Sequence, residues 1–230
     1  MSDALLATLS FAATVGLYYA NKHLYACRRH PLLMPLLATP VLLLLLVLGA
    51  GIPYRDYIAD TRWLIWLLGP ATIAFALPMH DHRAMLRRHG LSIAVGVLVA
   101  SATSIVTSVW LARWLGLSPL LQKGLAVRSV TTPFAIEAAR SLGGPPDLAA
   151  LFVLMTGLTG MLVGETVLAL LPMVRSRLAQ GAIFGGAAHG GGTAKAQQLG
   201  QVQGVVAALV MMLAGAANVL AAPLIRTLFF

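Results

Sequence analysis

Two short stretches of the chain hold residue types that could bind a small anion. The first is Arg128-Ser129-Val130-Thr131-Thr132-Pro133. Pro133 lacks an N–H and disfavours helix at the residue before it, so one helix should stop here and another begin. Thr131 and Thr132 are hydroxyl residues of the kind that cap a helix start, and proline suits a first turn. The second stretch is His189-Gly190-Gly191-Gly192-Thr193-Ala194-Lys195. Each of its three glycines costs a helix about 1 kcal/mol, so a break is expected, with Thr193 capping a helix that runs to Leu199. A helix start carries unpaired N–H groups and partial positive charge. Two such starts facing one another would form a small polar pocket suited to a carboxylate or hydroxy acid. The candidate substrate-binding residues are Arg128, Ser129, Thr131, Thr132, Pro133, His189, Gly190, Gly191, Thr193 and Lys195, with Arg128 or Lys195 supplying a full charge.

Two carboxylates are candidates for carrying a coupling ion, Glu137 and Glu165. Glu137 stands three residues before Arg140, on one helical face, a spacing that favours a mutual ion pair. Glu165 lies deep in an apolar run, where an ionisable group marks function by default, or else is neutral and hydrogen-bonded to a neighbouring helix. Plainer roles compete elsewhere. Arg128 could snorkel to an interface, Pro133 and the glycines could permit close helix packing, His189 could make an ordinary polar contact, and Asn218 could join helices. His23, His30, His80, His82 and His89 fall in expected loops. The single cysteine, Cys27, excludes an internal disulfide and a cysteine-based zinc site. No paired acids, nucleophile–base pair or metal constellation stands at workable spacing. Neither an enzyme nor a metal or cofactor is expected.

These residues must be positioned by a chain of 230 residues that is 59% hydrophobic and 10% charged. A soluble domain carries about 25% charged residues. Seven carboxylates cannot clothe a soluble globule of this length, so the composition points to an all-α polytopic membrane protein. The net charge of +9 sits in short basic clusters between apolar runs, which is topology information rather than a nucleic-acid footprint. A spanning helix needs roughly 20 mostly apolar residues. Six runs qualify: 4–20, 32–51, 63–79, 91–115, 148–172 and 205–225. Segments 120–142 and 181–199 are less apolar and contain the two breaks. Non-helical backbone at membrane depth survives only where protein or a water-filled cavity satisfies it, so both segments are expected to be broken hairpins.

Lysine and arginine counts give orientation. Loop 21–30 holds Lys22, Arg28 and Arg29, and loop 80–90 holds Arg83, Arg87 and Arg88, so both should be cytoplasmic. The N-terminus is then periplasmic. Segment 120–142 would re-enter from outside, and segment 181–199 from the cytoplasm; a full crossing stays open for each. A shift of 57 residues, from 123 to 180, lays Lys123-Gly124 on Gln180-Gly181, Thr132-Pro133 on His189-Gly190 and Leu142-Gly143 on Leu199-Gly200. The expected organisation is a four-span scaffold, 1–118, and a second half, 119–230, of two hairpin-plus-span units (119–173 and 180–228) in inverted orientation. That is the arrangement of secondary transporters, which hold substrate near the midplane at half-helix ends.

Gly69-Pro70-Ala71-Thr72-Ile73-Ala74-Phe75-Ala76-Leu77-Pro78 resembles a motif of the LrgB/CidB family. So do Lys123-Gly124 with Arg128 to Glu137, the stretch from Gly143-Gly144 to Gly164, and Ala187-Ala188-His189-Gly190-Gly191-Gly192-Thr193-Ala194-Lys195-Ala196. Two positions depart: Val127-Arg128 stands where the family usually has Pro-Lys, and Ala188 replaces a serine. Arginine keeps the charge of lysine but not its hydrogen-bond geometry. The resemblance implies a bacterial inner-membrane protein with a smaller LrgA/CidA-like membrane partner, in a homo- or hetero-oligomer. It implies either transport of small carboxylates of the pyruvate, glycolate or glycerate type, or antiholin-like control of murein hydrolases and cell lysis.

Overall fold

The computed structural model of the protein describes residues 3–28, 30–67, 69, 70, 73 and 76–230. Every regular element among the described residues is helical. Residues 1–71 and 72–230 form two compact units.

The first unit holds α1 (Asp3–Cys27), α2 (Pro35–Gly49), α3 (Tyr54–Thr61) and the short α4 (Trp63–Trp66). Polar side chains join α1 to its neighbours. Asn21 Nδ2 donates to Thr39 Oγ1 at 3.0 Å, and Thr14 shares a hydrogen bond with the Tyr57 hydroxyl at 3.1 Å. Helix α2 is shorter than the expected span over 32–51. Leu32 and Leu33 belong to a 3₁₀ turn, and the far end closes at Gly51, whose φ of 62° suits glycine. Its 15 residues reach about 22 Å, short of the roughly 30 Å hydrocarbon layer. The expected span 63–79 is seen only towards its ends. Leu68, Ala71, Thr72, Ala74 and Phe75 lie outside the described residues, and with them the middle of the Gly69-to-Pro78 motif.

The second unit holds α5 (Ala76–Asp81), α6 (Arg83–Trp114), α7 (Pro119–Ala126), α8 (Thr132–Leu142), α9 (Pro146–Ala169), α10 (Arg177–Leu199) and α11 (Gln201–Phe229). Helices α6, α9 and α11 are long and apolar enough to cross a membrane, as expected for 91–115, 148–172 and 205–225. Helices α6 and α11 run parallel. Ile93 and Val97 pack with Val206 and Val210, and further along Ile105 and Val109 pack with Ala222 and Ile225.

The remaining helices are two hairpins, each broken where the sequence analysis expects a break. In the first, α7 ends at Ala126, five residues turn, and α8 returns from Thr132. Lys123 Nζ donates to the Gly143 carbonyl at 3.4 Å, which brings the open ends of the hairpin together. Gly143 stops α8 in the left-handed conformation (φ 69°), and the Gly144 N–H closes on the Ala139 carbonyl at 2.8 Å. In the second hairpin, α10 is interrupted at His189 (φ 39°, ψ −123°), leaving arms 177–188 and 190–199. A Cβ on Gly192 would lie 2.1 Å from the Phe184 carbonyl oxygen. Eight residues of unbroken helix would separate these points by about 12 Å, so the arms fold back on one another.

The hairpins enter the bundle from opposite ends. The base of the first lies at the start of α9, with Gly124 against Leu148 and Phe152, and at the end of α11, with Lys123 over the Phe230 ring. The base of the second lies at the start of α11. There Gln203 Nε2 donates to Gln180 Oε1 at 3.1 Å, and Gly204 fits against Gln197. Its first arm also packs on the distal part of α9, where Phe184 meets Gly164 and Leu168.

Candidate functional site

The two breaks approach one another along α9 and α11. Phe134, in the first turn of α8, meets Gly215, and Thr193 Oγ1 contacts Met211 Sδ at 3.7 Å. These contacts are four residues apart on α11, about 6 Å along its axis. Both α8 and the arm 190–199 begin at the tips and run outward. Their N-terminal ends, with the partial positive charge and unpaired N–H groups of helix starts, therefore converge at mid-length of the long helices.

His189 forms the tip of the second hairpin and is buried. Its Nδ1 accepts from the Gly190 N–H at 2.8 Å, and its Nε2 lies 2.9 Å from the Val153 carbonyl. Nδ1 as acceptor and Nε2–H as donor is the pattern of one tautomer of a neutral ring. Val153 belongs to the same hydrophobic cluster as Val127 and Val130 of the first break. Glycines on α9 make room for the second tip. A Cβ on Gly157 would stand 2.8 Å from His189 Cε1, and one on Gly160 would stand 2.1 Å from Ala188 Cβ. Gly191 needs the same freedom, since its Cβ would meet the Gly157 carbonyl oxygen at 2.4 Å.

At the first break, Thr131 takes the N-cap position with extended backbone, Thr132 opens α8, and Pro133 follows in its first turn. Ser129 and Thr131 are buried. Arg128 is partly buried; its Nε donates to Ser108 Oγ on α6 at 2.8 Å, and its two Nη groups make no bond among the described residues. Arg128 and Ala188 line one cavity of about 470 Å³, which lies along α9 beside Phe152, Met155, Thr156 and Thr159.

Two candidates, Thr193 and Lys195, sit differently from the expectation. Thr193 is inside its helical arm rather than capping it, because the arm already begins at Gly190 and the hydroxyl bonds back to the His189 carbonyl at 2.8 Å. Lys195 pairs with Glu165 on α9 at 2.6 Å. Glu137 pairs with Arg140 at 2.6 Å on an exposed face, as their spacing favours. The cavity is also less polar than the small hydroxyl-lined pocket expected, since Ser129, Thr131 and Thr193 are not among its lining residues. Asn218 does join helices: its Nδ2 donates to Ser101 Oγ on α6 at 2.9 Å. Sequence reasoning missed Ser108, Val153, Thr156 and Thr159. Gly157, Gly160 and Gly164, which face the second hairpin at helical spacing, were the signal for the α9 face.

The model of the LrgB-like family matches residues 14–228. The chain belongs to this family. LrgB-like relatives align along nearly its whole length. YwbG of Bacillus subtilis (strain 168) is 35% identical over 94% of this chain and 95% of its own. YxaC of the same strain is 31% identical over 100% and 99%. The holin-like protein CidB of Staphylococcus aureus (strain N315) is 28% identical over the full length of both chains. No solved structure matches. In this LrgB-like chain, the stretches Arg128–Pro133 and His189–Thr193 that carry the family resemblance form the two hairpin tips. The stretch ending at Gly164 forms the helix face between them.

Proposed function

We propose that this LrgB-like protein is a secondary transporter of small monocarboxylates or hydroxy acids, of the pyruvate, glycolate or glycerate type. The observation that carries the reading is the convergence of two half-helix starts beside Arg128. An anion there meets unpaired N–H groups, the positive ends of two converging helix dipoles and a guanidinium. A subunit that only packs against others has little need for buried non-helical backbone at that depth. The two hairpins act as inverted units: α8 ends at Leu142 before Gly143, and α10 ends at Leu199 before Gly200, 57 residues later. They rock against the long helices to give alternating access. The tips lie near the midplane of the bacterial inner membrane, with the N-terminus periplasmic. Glu165 is the better-placed carrier of a coupling proton, because its pair with Lys195 bridges α9 and the second hairpin, whereas Glu137 pairs with Arg140 within one helix. An LrgA/CidA-like membrane protein completes the assembly.

The holin-like name of the staphylococcal relatives favours a second reading, a subunit that regulates murein hydrolases and lysis without transport of its own. Uptake of labelled pyruvate, glycolate and glycerate into proteoliposomes separates the two. The protein would be tested alone and with an LrgA-like partner, with and without a proton gradient. Saturable uptake, abolished in Thr132→Ala and His189→Ala proteins that still insert normally, is expected of the transporter. Absence of uptake by folded protein in both formats favours the regulator, and wild-type flux in both variants removes the site.

A further inference from the structure

The cavity at Arg128 points to a narrower substrate class. We infer that the site selects monocarboxylates with an aliphatic tail, such as branched 2-oxo acids, over hydroxyl-rich acids of the same size. This rests on the transporter reading above. Among the described residues, Arg128 is the only charged one lining the cavity. With Nε committed to Ser108, two of the four N–H on its Nη groups offer a fork for one carboxylate.

The wall beyond Arg128 is apolar, set by Leu125, Phe152, Met155 and Gly160. Two hydroxyl residues interrupt it, and both turn their protons inward: Thr156 Oγ1 donates to the Phe152 carbonyl and Thr159 Oγ1 to the Met155 carbonyl, each at 2.8 Å. A substrate hydroxyl placed there gives up water for at best a single acceptor, whereas a methyl group meets apolar surface. Discrimination by a pocket follows such unpaired polar groups. The cavity, about 470 Å³, continues along α9 past Thr159 to Val163 and Val167, so a tail of several carbons meets no end wall.

The test is uptake by the full-length protein in proteoliposomes of a series sharing one head group, pyruvate, 2-oxobutanoate and 4-methyl-2-oxopentanoate, with glycerate as the hydroxyl comparator. Empty vesicles supply the leak rate. Each buried methylene is worth about fourfold in transfer equilibrium, so 4-methyl-2-oxopentanoate should exceed pyruvate and glycerate in uptake efficiency by about tenfold or more. Arg128→Gln should depress all four acids. Arg128→Lys should restore part of the flux, because it keeps the charge without the fork. Thr159→Phe, which adds bulk at an exposed position on the tail side, should lower the ratio of 4-methyl-2-oxopentanoate to pyruvate at least threefold. Glycerate or pyruvate moving as well as the branched acid overturns the inference and leaves transport standing. So does a ratio insensitive to Thr159→Phe. No uptake of any acid overturns the transporter reading itself.

Discussion

His189 makes the sharpest structural prediction, because its side chain and its backbone push stability in opposite directions. Replacing it with alanine removes two hydrogen bonds. The Val153 carbonyl, within helix α9, loses only a second donor, about 0.5–1.5 kcal/mol; Gly190 is exposed, so its N–H exchanges the ring nitrogen for water, again about 0.5–1.5 kcal/mol. His189→Ala is therefore expected to cost about 1–3 kcal/mol. The backbone at this position (φ 39°, ψ −123°) is one that residues with a Cβ rarely adopt, a strain of about 1–3 kcal/mol that glycine relieves. Glycine returns roughly 0.4–1 kcal/mol of this through its freer unfolded chain. His189→Gly should thus be more stable than His189→Ala by about 1 kcal/mol, although it has the smaller side chain. Thermal unfolding in detergent, followed by tryptophan fluorescence, measures the difference. Trp110 and Trp114 lie on α6 in the same unit. At roughly 2–4 °C per kcal/mol, the glycine variant should melt about 2–4 °C above the alanine variant. Equal melting, or alanine above glycine, would refute the strained-tip geometry.

Three further outcomes follow from the packing. Gly185→Val should prevent recovery of folded protein, because its Cβ would stand 2.2 Å from the Ala207 carbonyl oxygen, while Gly96→Ala, with nothing within 4 Å, should be neutral or raise stability by up to about 1 kcal/mol. Size-exclusion profiles of the two variants check this. A double-mutant cycle on Asn218 and Ser101 should return a coupling of about 0.6 kcal/mol and no more than about 1.7, the range of interhelical hydrogen bonds in membranes. Glu165→Gln should change the melting temperature by the equivalent of about 1 kcal/mol or less, since Glu165 is half exposed, and Glu165→Lys with Lys195→Glu should restore the pair. A loss of gradient-dependent uptake without a loss of stability in Glu165→Gln would assign it to ion coupling.

What could be read from the sequence follows the range of the chemistry. The breaks at 127–131 and at His189 were legible because proline and consecutive glycines act on the backbone within a turn. The turn at Gly143 and the ion pair Glu137–Arg140 were legible for the same reason. Helices α6, α9 and α11 were legible from apolar runs without interruption. The run at 32–51 misled because hydropathy does not see that Leu32 and Leu33 turn in a 3₁₀ helix before α2 begins. The pairing of Lys195 with Glu165 and the bond from His189 to Val153 join residues 30 and 36 positions apart, so local spacing carried no trace of either. Thr193 read as a cap because its residue type suits one. The start of the arm at Gly190, set by folding back at His189, placed it in the interior instead.

The most direct test of the central claim is which side of the membrane each hairpin opens to. In a Cys27→Ser background, Arg140→Cys reports the base of the first hairpin and Gln198→Cys the base of the second; both residues are exposed. A membrane-impermeant thiol reagent applied to intact cells and to inverted vesicles should label Cys at 140 from the periplasm and Cys at 198 from the cytoplasm. Labelling of both from the same side would contradict the opposed hairpins, and with them the converging half-helix starts on which the transport reading rests.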